Sequence, residues 1–352
     1  MDSALVGIPV ALILAIAIAD LAAPDRIHLG PLLVAAPAIT ASFAGPRLTA
    51  AIVVVSAAAE LLIASVQGDF GTQTFVGEIA ALVTVGVLIV IFAYVRDRER
   101  RTLTQVRSVA ETAQRALLRP VPARMARLRV ASTYLAAEAE AHIGGDLYGA
   151  VRTRGLTRLI IGDVRGKGLA AVSDAALLLG AFREAAHHAP TLPHLAAYLQ
   201  DSYGDRLADI PAPPPEETES FITATLVEFP DDRPLLTVVT CGHPPPLLLR
   251  GGEVTALPDD AQAPPFGLGD LAPAEYTART FPFGEGDALL LYTDGVIEAR
   301  DRAGRFYPLS ERIAEWAGDE PELLLRRLSQ DLLRHVGGRL DDDAAMVAVR
   351  AV

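Results

Sequence analysis

The first 95 residues contain four apolar stretches in close succession and carry little of the chain's charge. A helix that spans a bilayer needs roughly 20 mainly apolar residues, within a range of about 17–25. The third and fourth stretches meet this length, and the first two are marginal. The pattern predicts a four-helix transmembrane region over residues 1–95, in contact with the lipid bilayer. Its spans are Leu5–Ala19, Leu29–Ala44, Leu48–Val66 and Ile79–Val95.

Arginines indicate how this region would be oriented. Arg47 lies in the second break, and four more follow the last stretch directly: Arg96, Arg98, Arg100 and Arg101. The positive-inside rule then places the large C-terminal part in the cytoplasm, so we expect a multi-pass protein of the cell membrane. A cleaved signal peptide is the alternative for the first stretch, but it would need a basic start. The chain instead begins Met1-Asp2-Ser3.

Residues 96–122 form a charged connector. Arg96–Leu118 lacks Gly and Pro, which predicts a helix that continues from the fourth span and ends before Pro120. Its apolar residues are spaced by 3, 4, 3 and 4 positions, as in a heptad repeat: Leu103, Val106, Ala110, Ala113 and Leu117. Two interpretations fit this spacing. One is a short coiled coil that joins two copies in a homodimer, and the other is a helix packed on the next domain.

Composition excludes several classes of function. The net charge of −12 at pH 7 argues against nucleic acid as a partner, because a phosphate backbone requires a basic surface. The chain has one cysteine, Cys241, so it can form no intrachain disulfide and no cysteine-based zinc site.

Acidic turns recur where short apolar strands end. Arg158–Ala171 is an apolar run that stops at Gly-Asp163, passes two glycines and enters a helical pattern. The other acidic turns are Gly-Gly-Asp146, Thr-Asp294-Gly and the run Asp341–Asp343 before a closing strand. One such turn is ordinary turn or helix-cap chemistry. Four turns that border buried strands favour carboxylates that converge on one site.

Converging carboxylates repel one another unless a cation compensates them. Hard divalent ions prefer oxygen ligands, so Mg²⁺ or Mn²⁺ is expected there. Two such ions can lower the pKa of a bridging water and neutralise a phosphoryl group during in-line attack. The chemistry would then need no nucleophile from the protein.

These motifs, in this order, resemble the metal-dependent (PPM, type 2C) protein serine/threonine phosphatases, and in particular their bacterial SpoIIE-type branch. The resemblance runs from about residue 112 to the C-terminus. Besides the acidic turns it includes three further segments: Gln114–Pro120, Phe221–Leu226 and the Cys241-Gly-His-Pro-Pro-Pro turn.

The resemblance implies an α+β fold over residues 123–352, an α-β-β-α sandwich of two antiparallel sheets flanked by helices. It also implies a centre of two Mn²⁺ or Mg²⁺ ions at one edge, with a metal-bound water as nucleophile and no catalytic side chain. The implied metal ligands are Asp146, Asp163, the backbone carbonyl of Val164, Asp294 and Asp342. The register within Asp341–Asp343 is ambiguous by one residue.

Two further residues are candidates for substrate binding. Lys167 takes a place where this branch often has His, and it either shapes the loop or attracts the substrate phosphate. His243 is either an acid/base group or part of a rigid Gly-His-Pro corner. Glu298, four residues after Asp294, is expected to be solvated, and a position behind the metal ligands is the alternative.

The function that this resemblance implies is a membrane-anchored phosphatase acting on phosphoserine or phosphothreonine of a regulatory protein. In this branch the usual substrate is an anti-sigma-factor antagonist. The alternative is a catalytically idle sensor or scaffold that uses a phosphatase-like domain to bind a partner. A sensor histidine kinase would need a His on the connector helix, and Arg96–Leu118 contains none.

Overall fold

The computed structural model describes most of the chain as two compact units, residues 1–105 and 106–352. Their division falls within one long helix and inside the predicted connector. The domain boundaries at residues 95 and 122 stay predictions. The described residues are 3–22, 29–67, 70, 72–137, 144–166, 168–208, 220–258, 260, 262–269 and 275–352.

The N-terminal unit is helical. Its elements are α1 (Ser3–Ala22), a 3-10 helix (Gly30–Val34), α2 (Ala35–Phe43), α3 (Pro46–Gln67) and the first part of α4 (Gln73–Leu117). Within the described residues, two helical segments are long and apolar enough to cross a membrane: α3 and Phe75–Thr102 of α4. The apolar parts of the first and second predicted spans, Gly7–Ala22 and Gly30–Phe43, are shorter. Among the described residues, two of the four predicted spans are therefore long enough to cross a bilayer.

The second predicted span is helical but short, and its first turns are wound as a 3-10 helix. Its 3-10 helix changes to α2 just before Pro37, which has no N–H to donate to the Leu33 carbonyl four residues earlier. That carbonyl accepts a hydrogen bond from Ser56 Oγ of α3 at 3.3 Å instead. A hydrophobicity pattern alone does not show this change from 3-10 to α-helical hydrogen bonding.

Beside a small apolar core, the N-terminal unit buries several polar side chains, and it exposes many apolar ones. Ser56 and Glu60 of α3 are buried, as are Asp20, Thr40 and Thr49. Of the 28 large hydrophobic side chains exposed in the described residues, 23 lie between positions 8 and 95. This distribution is the inverse of that in a water-soluble helical bundle.

The predicted continuation of the fourth span into the connector is confirmed. Helix α4 runs for 45 residues without a break and ends at Leu117, before Pro120. Leu117 is half-buried against the core of the C-terminal unit. The side chains of Leu103, Val106, Ala110 and Ala113 lie outside the described residues, so the coiled coil and the homodimer stay predictions.

The C-terminal unit contains two antiparallel sheets, as expected. Its strands are β1 (Arg124–Met125), β2 (Leu128–Leu135), β3 (Leu147–Thr153), β4 (Leu156–Val164), β5 (Ile222–Pro230), β6 (Leu235–Cys241), β7 (Leu247–Arg250), β8 (Glu253–Ala256), β9 (Arg279–Pro282), β10 (Ala288–Tyr292) and β11 (Ala344–Ala351). One sheet has the order β1-β2-β11-β10-β7-β8, and the other has the order β3-β4-β5-β6-β9.

Helices cover the outer face of each sheet. Those of this unit are α5 (Leu169–Ala185), α6 (Leu192–Ala208), α7 (Asp294–Ile297), α8 (Leu309–Ala314) and α9 (Pro321–His335). Helices α5 and α6 pack on the five-stranded sheet, and α9 packs on β2 and β11 of the other. The four-layer α-β-β-α arrangement is therefore confirmed.

Strand β10 shows why the sequence forms such layers. Its five residues, Ala-Leu-Leu-Leu-Tyr, are all buried because both faces of the sheet are covered. Leu289 and Leu291 belong to the core that includes the other sheet, while Leu290 and Tyr292 belong to the core beneath α8 and α9. A continuous apolar run is the pattern of such a strand.

The strand register brings the acidic turns to one edge. Because β3 and β4 are antiparallel, the start of β3 lies beside the end of β4, with Leu147 opposite Gly162. The start of β5 also lies there, with Thr223 opposite Asp163. In the other sheet, the end of β10 lies beside the start of β11, with Tyr292 opposite Met346.

We predict that Gly295→Ala lowers the free energy of unfolding by about 1–3 kcal/mol, because the added methyl group would overlap the Asp343 carbonyl oxygen. Gly180→Ala is the matched control. Gly180 lies inside α5 with nothing within 4 Å of an added methyl, so this change should be neutral or stabilising by up to about 1 kcal/mol. Denaturation followed by the single tryptophan, Trp316, measures both. Equal effects would contradict the packing of α7 on β11.

Candidate metal centre

Four of the predicted carboxylates come from four strand ends. Asp146 directly precedes β3, and Asp163 is the penultimate residue of β4. Asp294 begins α7, two residues after β10 ends, and Asp342 lies two residues before β11. The two sheets therefore contribute two carboxylates each, and the structure brings all four to the same edge.

Two glycines make this close approach possible. A methyl group at Gly145 would overlap the backbone of Val164, including its carbonyl oxygen. A methyl group at Gly144 would overlap the carboxylate of Asp343. The Gly-Gly-Asp146 motif is therefore a packing requirement of the site.

Thr293 connects the two sheets at this edge. Its buried hydroxyl donates a hydrogen bond to Asp146 Oδ2 at 2.8 Å and accepts one from the Ala345 N–H at 2.9 Å. The Thr293 N–H also donates to the Ala345 carbonyl at 3.1 Å. One side chain thus fixes Asp146 relative to β10 and β11. In the sequence, the one indication of this role was that Thr293 directly precedes Asp294.

A cavity of about 250 Å³ lies where these elements meet. Asp163, Asp294 and Asp342 line it together with Val164. Asp146 is buried, with 3% of its surface exposed, and lies close enough to Asp163 for the charge of Asp163 to raise its pKa. The cavity thus has an acidic wall, with a fourth carboxylate in contact with it.

Burial and mutual repulsion raise the pKa of these acids. For Asp163, burial and then the charges of Asp294 and Asp342 raise the pKa to about 7. Burial, followed by the charge of Asp163, holds the pKa of Asp146 well above its ordinary value. Burial and then the charge of Glu298 raise the pKa of Asp294. Each shift has the direction that a nearby cation would oppose.

The structure separates the three consecutive acids before β11. Asp342 is exposed and lines the cavity. Asp343 is buried, and its Oδ1 accepts a hydrogen bond from the Ala137 N–H at 2.6 Å. Asp341 is exposed and does not line the cavity. Of the three, Asp342 is the acid that the geometry makes available to a ligand.

Only one of the two substrate-binding candidates, His243, lies in the described part of the chain. Lys167 lies outside the described residues. His243 is 2% exposed, and its Nδ1 is 3.0 Å from Oγ1 of Thr223, a residue that does line the cavity. Burial lowers the pKa of His243 to about 3, which keeps it neutral at pH 7. His243 therefore supports the wall from behind. Glu298 is exposed, as expected.

Sequence reasoning assigned no role to two residues behind the acidic turns. The buried Gln114, at the end of α4, donates from Nε2 to the Gly144 carbonyl at 3.1 Å. Tyr134 of β2 lies beside both Gln114 and Asp343. They support the segments that carry Asp146 and Asp342. The available signal was the position of Gln114 in the segment that resembles the family.

The donor set suits a hard divalent ion, since every group is a carboxylate or carbonyl oxygen. Among the described residues, no three His, Cys, Asp or Glu side chains already have the spacing of a formed metal cage. Asp146 and Asp163 lie beside each other. The residues thus fit divalent ions by chemistry and location, and binding would require their carboxylates to separate.

With chelator present, we predict that the melting temperature of the C-terminal unit decreases as the pH is raised from about 6 to about 8. The folded pKa of Asp163, about 7, exceeds the value of about 3.9 in an unfolded chain. The folded state therefore binds the proton more tightly, and the resulting stability is lost as pH rises through the folded pKa.

Asp163→Asn should flatten this pH dependence and be more stable than the parent at pH 8 in chelator. The physical reason is that the amide removes a charge that the other carboxylates repel. Asp205→Asn, at an exposed position of α6, is the control and should keep the parental pH dependence. Identical profiles for Asp163→Asn and the parent would contradict the repulsion.

Comparison with known families matches residues 153–352 to the family described as Stage II sporulation protein E (SpoIIE). The match spans more than half of the 352 residues. It includes Asp163, Asp294 and Asp342, and it begins after Asp146.

Three solved structures resemble the chain. The RsbU and RsbW domains of Rv1364c from Mycobacterium tuberculosis are 24% identical, with 66% of this chain and 61% of that one covered and a TM-score of 0.52. The PP2C phosphatase domain of SpoIIE from Bacillus subtilis, with a fragment of its regulatory domain, is 17% identical, with 63% of each chain covered and a TM-score of 0.50. The SiaA-PP2C domain of Pseudomonas aeruginosa is 16% identical, with 72% of this chain and 99% of that one covered and a TM-score of 0.58.

The chain spans about three fifths of the length of the first two of these structures. At these identities the three likenesses concern the fold, which is that of a PP2C phosphatase domain. The family match is independent of them and covers most of the C-terminal unit. The chain therefore belongs to the SpoIIE family, and its C-terminal unit is a PP2C-type phosphatase domain.

Proposed function

We propose that this protein is a membrane-anchored, metal-dependent protein serine/threonine phosphatase. The observation that carries the proposal is the cavity lined by Asp163, Asp294 and Asp342, with Asp146 in contact with it. Because the chain belongs to the SpoIIE family, we interpret this cavity as the active site of a phosphatase.

The residues that would hold two Mn²⁺ or Mg²⁺ ions are Asp146, Asp163, the Val164 carbonyl, Asp294 and Asp342. When bound, ions of this kind supply an acidified water and neutralise charge on a phosphoryl group. Thr293 holds Asp146 in place for this role. Three of the carboxylates face the cavity, where a phosphate ester could reach them.

Arg165 is the residue best placed to bind the substrate phosphate. It is the one cationic side chain among the described residues that line the cavity. Its guanidinium lies 5.1 Å from the ring centre of Phe221, which also lines the cavity. A stacked guanidinium is held in position, and its planar shape matches the oxygens of a phosphate.

The substrate class follows from the SpoIIE-type branch. We propose a phosphoserine or phosphothreonine of a regulatory protein, of the anti-sigma-factor antagonist type. Among the structures of this fold, one joins an RsbU domain to an RsbW domain in Rv1364c. A protein substrate also suits a cavity at an open edge of the sandwich.

The N-terminal unit would anchor the protein in the cell membrane, with the phosphatase domain in the cytoplasm. Helix α3 and Phe75–Thr102 have the length and composition to span a bilayer. The exposed apolar side chains of residues 8–95 would be unfavourable in water and are stabilised by lipid. The positions of Arg47, Arg96 and Arg98 favour the cytoplasmic orientation.

An idle scaffold is the second candidate, since the acidic side chains among the described residues do not form a metal cage. To distinguish the phosphatase from the scaffold, the full-length chain in detergent is assayed with two substrates. One is a phosphoserine protein, and the other is a chromogenic phosphate ester. The phosphatase should turn both over with Mn²⁺ or Mg²⁺ and stop with chelator.

We predict that Asp163→Asn and Asp294→Asn each lower kcat by about a hundredfold or more, because each removes a charged metal ligand. Asp205→Asn should keep parental activity, since it lies on the exposed face of α6. Mn²⁺ binding without turnover of either substrate would instead support the scaffold.

We predict that Arg165→Ala raises KM for the chromogenic ester about tenfold and changes kcat less, because the guanidinium holds the phosphate before and during reaction. Arg154→Ala is the matched control. Arg154 is exposed in the turn between β3 and β4, at the end of these strands that is remote from the cavity. Steady-state kinetics measure both, and an unchanged KM for Arg165→Ala would remove this residue from the substrate site.

A further inference from the structure

A second and larger cavity, of about 790 Å³, lies within the N-terminal unit. One wall is the start of α3, including Pro46 and Arg47, and the other is the part of α4 between Tyr94 and Thr102. Below it, Arg96 Nη2 donates a hydrogen bond to the Ala44 carbonyl at 3.1 Å, which ties α4 to the end of α2. The two walls are thus fixed relative to each other. We call it the arginine cavity.

The arginine cavity is positively charged. Arg47, Arg98 and Arg101 line it, and Asp97 is the one acidic residue among the described lining residues. Asp97 pairs with Arg101 at 2.8 Å. Arg47 and Arg98 are exposed and form no ion pair with the described part of the chain. Two guanidinium groups from different helices are therefore available to one ligand.

The helix geometry adds to this charge. The first turn of α3 borders the cavity, and the N–H groups of Arg47 and Leu48 have no carbonyl four residues earlier within the helix. The positive end of the helix dipole of this 22-residue helix lies there. Arginine side chains and a helix N-terminus favour the same ligand, an anion with several oxygens.

The residues around the arginine cavity suggest at which level of the membrane such an anion would be bound. The cavity lies where the apolar segment Phe75–Thr102 becomes charged, beside Tyr94. Tyrosine and arginine are the residues that lie at the level of lipid headgroups. A volume of 790 Å³ is within the range that holds a small ligand.

We propose that the arginine cavity is a binding site for a phosphate-bearing anion, the chemistry that anionic phospholipid headgroups share with free phosphate. Arg47 and Arg98 bind the phosphate oxygens, the start of α3 adds backbone N–H donors, and Tyr94 borders the site. Binding of an anion at this site does not require phosphatase activity.

The test uses the full-length chain in detergent, titrated with phosphatidylglycerol or phosphatidylcholine and followed by native mass spectrometry. Arg47→Gln and Arg98→Gln should each weaken phosphatidylglycerol binding about fivefold and leave phosphatidylcholine binding unchanged. Arg100→Gln is the matched control. It removes the same charge two residues along α4, from a side chain that does not line the cavity. Melting in detergent without anion verifies that the variants fold.

Inorganic phosphate provides the second arm. If it raises the melting temperature, and Arg98→Gln abolishes that rise, free phosphate is a sufficient ligand. If only phosphatidylglycerol shows the variant dependence, the ligand is a headgroup. Equal weakening by Arg98→Gln and Arg100→Gln would mean diffuse attraction to charge and would overturn the site. A response to neither anion would overturn it as well.

Discussion

Repulsion between carboxylates determines how the C-terminal unit is built. Its two sheets each deliver two acids to one edge, and burial makes their charges difficult to sustain. The pKa of Asp163 is raised to about 7 for this reason. A folded protein keeps such an arrangement only if a ligand or a proton compensates it. Two divalent ions would supply that compensation and, in the same place, the means to hydrolyse a phosphate ester.

The rest of the domain holds this unfavourable cluster in position. Thr293 joins the strand ends of the two sheets through Asp146 and Ala345. Gln114, at the end of α4, reaches the carbonyl of Gly144. Helix α4, which begins as an apolar segment, is therefore hydrogen-bonded near its C-terminal end to Gly144. Gly144 lies two residues before Asp146, a predicted metal ligand.

Much of this arrangement could be predicted from sequence. Apolar runs that stop at Asp163 and Asp294 identify buried strands and acidic ends, because both patterns are local. The change from 3-10 helix to α-helix before Pro37 depends on one missing N–H inside an apolar stretch. The burial of His243 depends on contacts between distant strands. Such contacts cannot be predicted from composition and spacing. For the same reason, the sequence did not predict a role for Gln114.

The central claim is that the acidic edge binds two divalent ions. Equilibrium dialysis of the full-length chain in detergent against Mn²⁺ tests it most directly, with Asp163→Asn and Asp294→Asn beside Asp205→Asn. The account predicts two ions per chain in the parent and in Asp205→Asn, and fewer in the other two variants. Equal Mn²⁺ binding by all four proteins, or none by the parent, would contradict it.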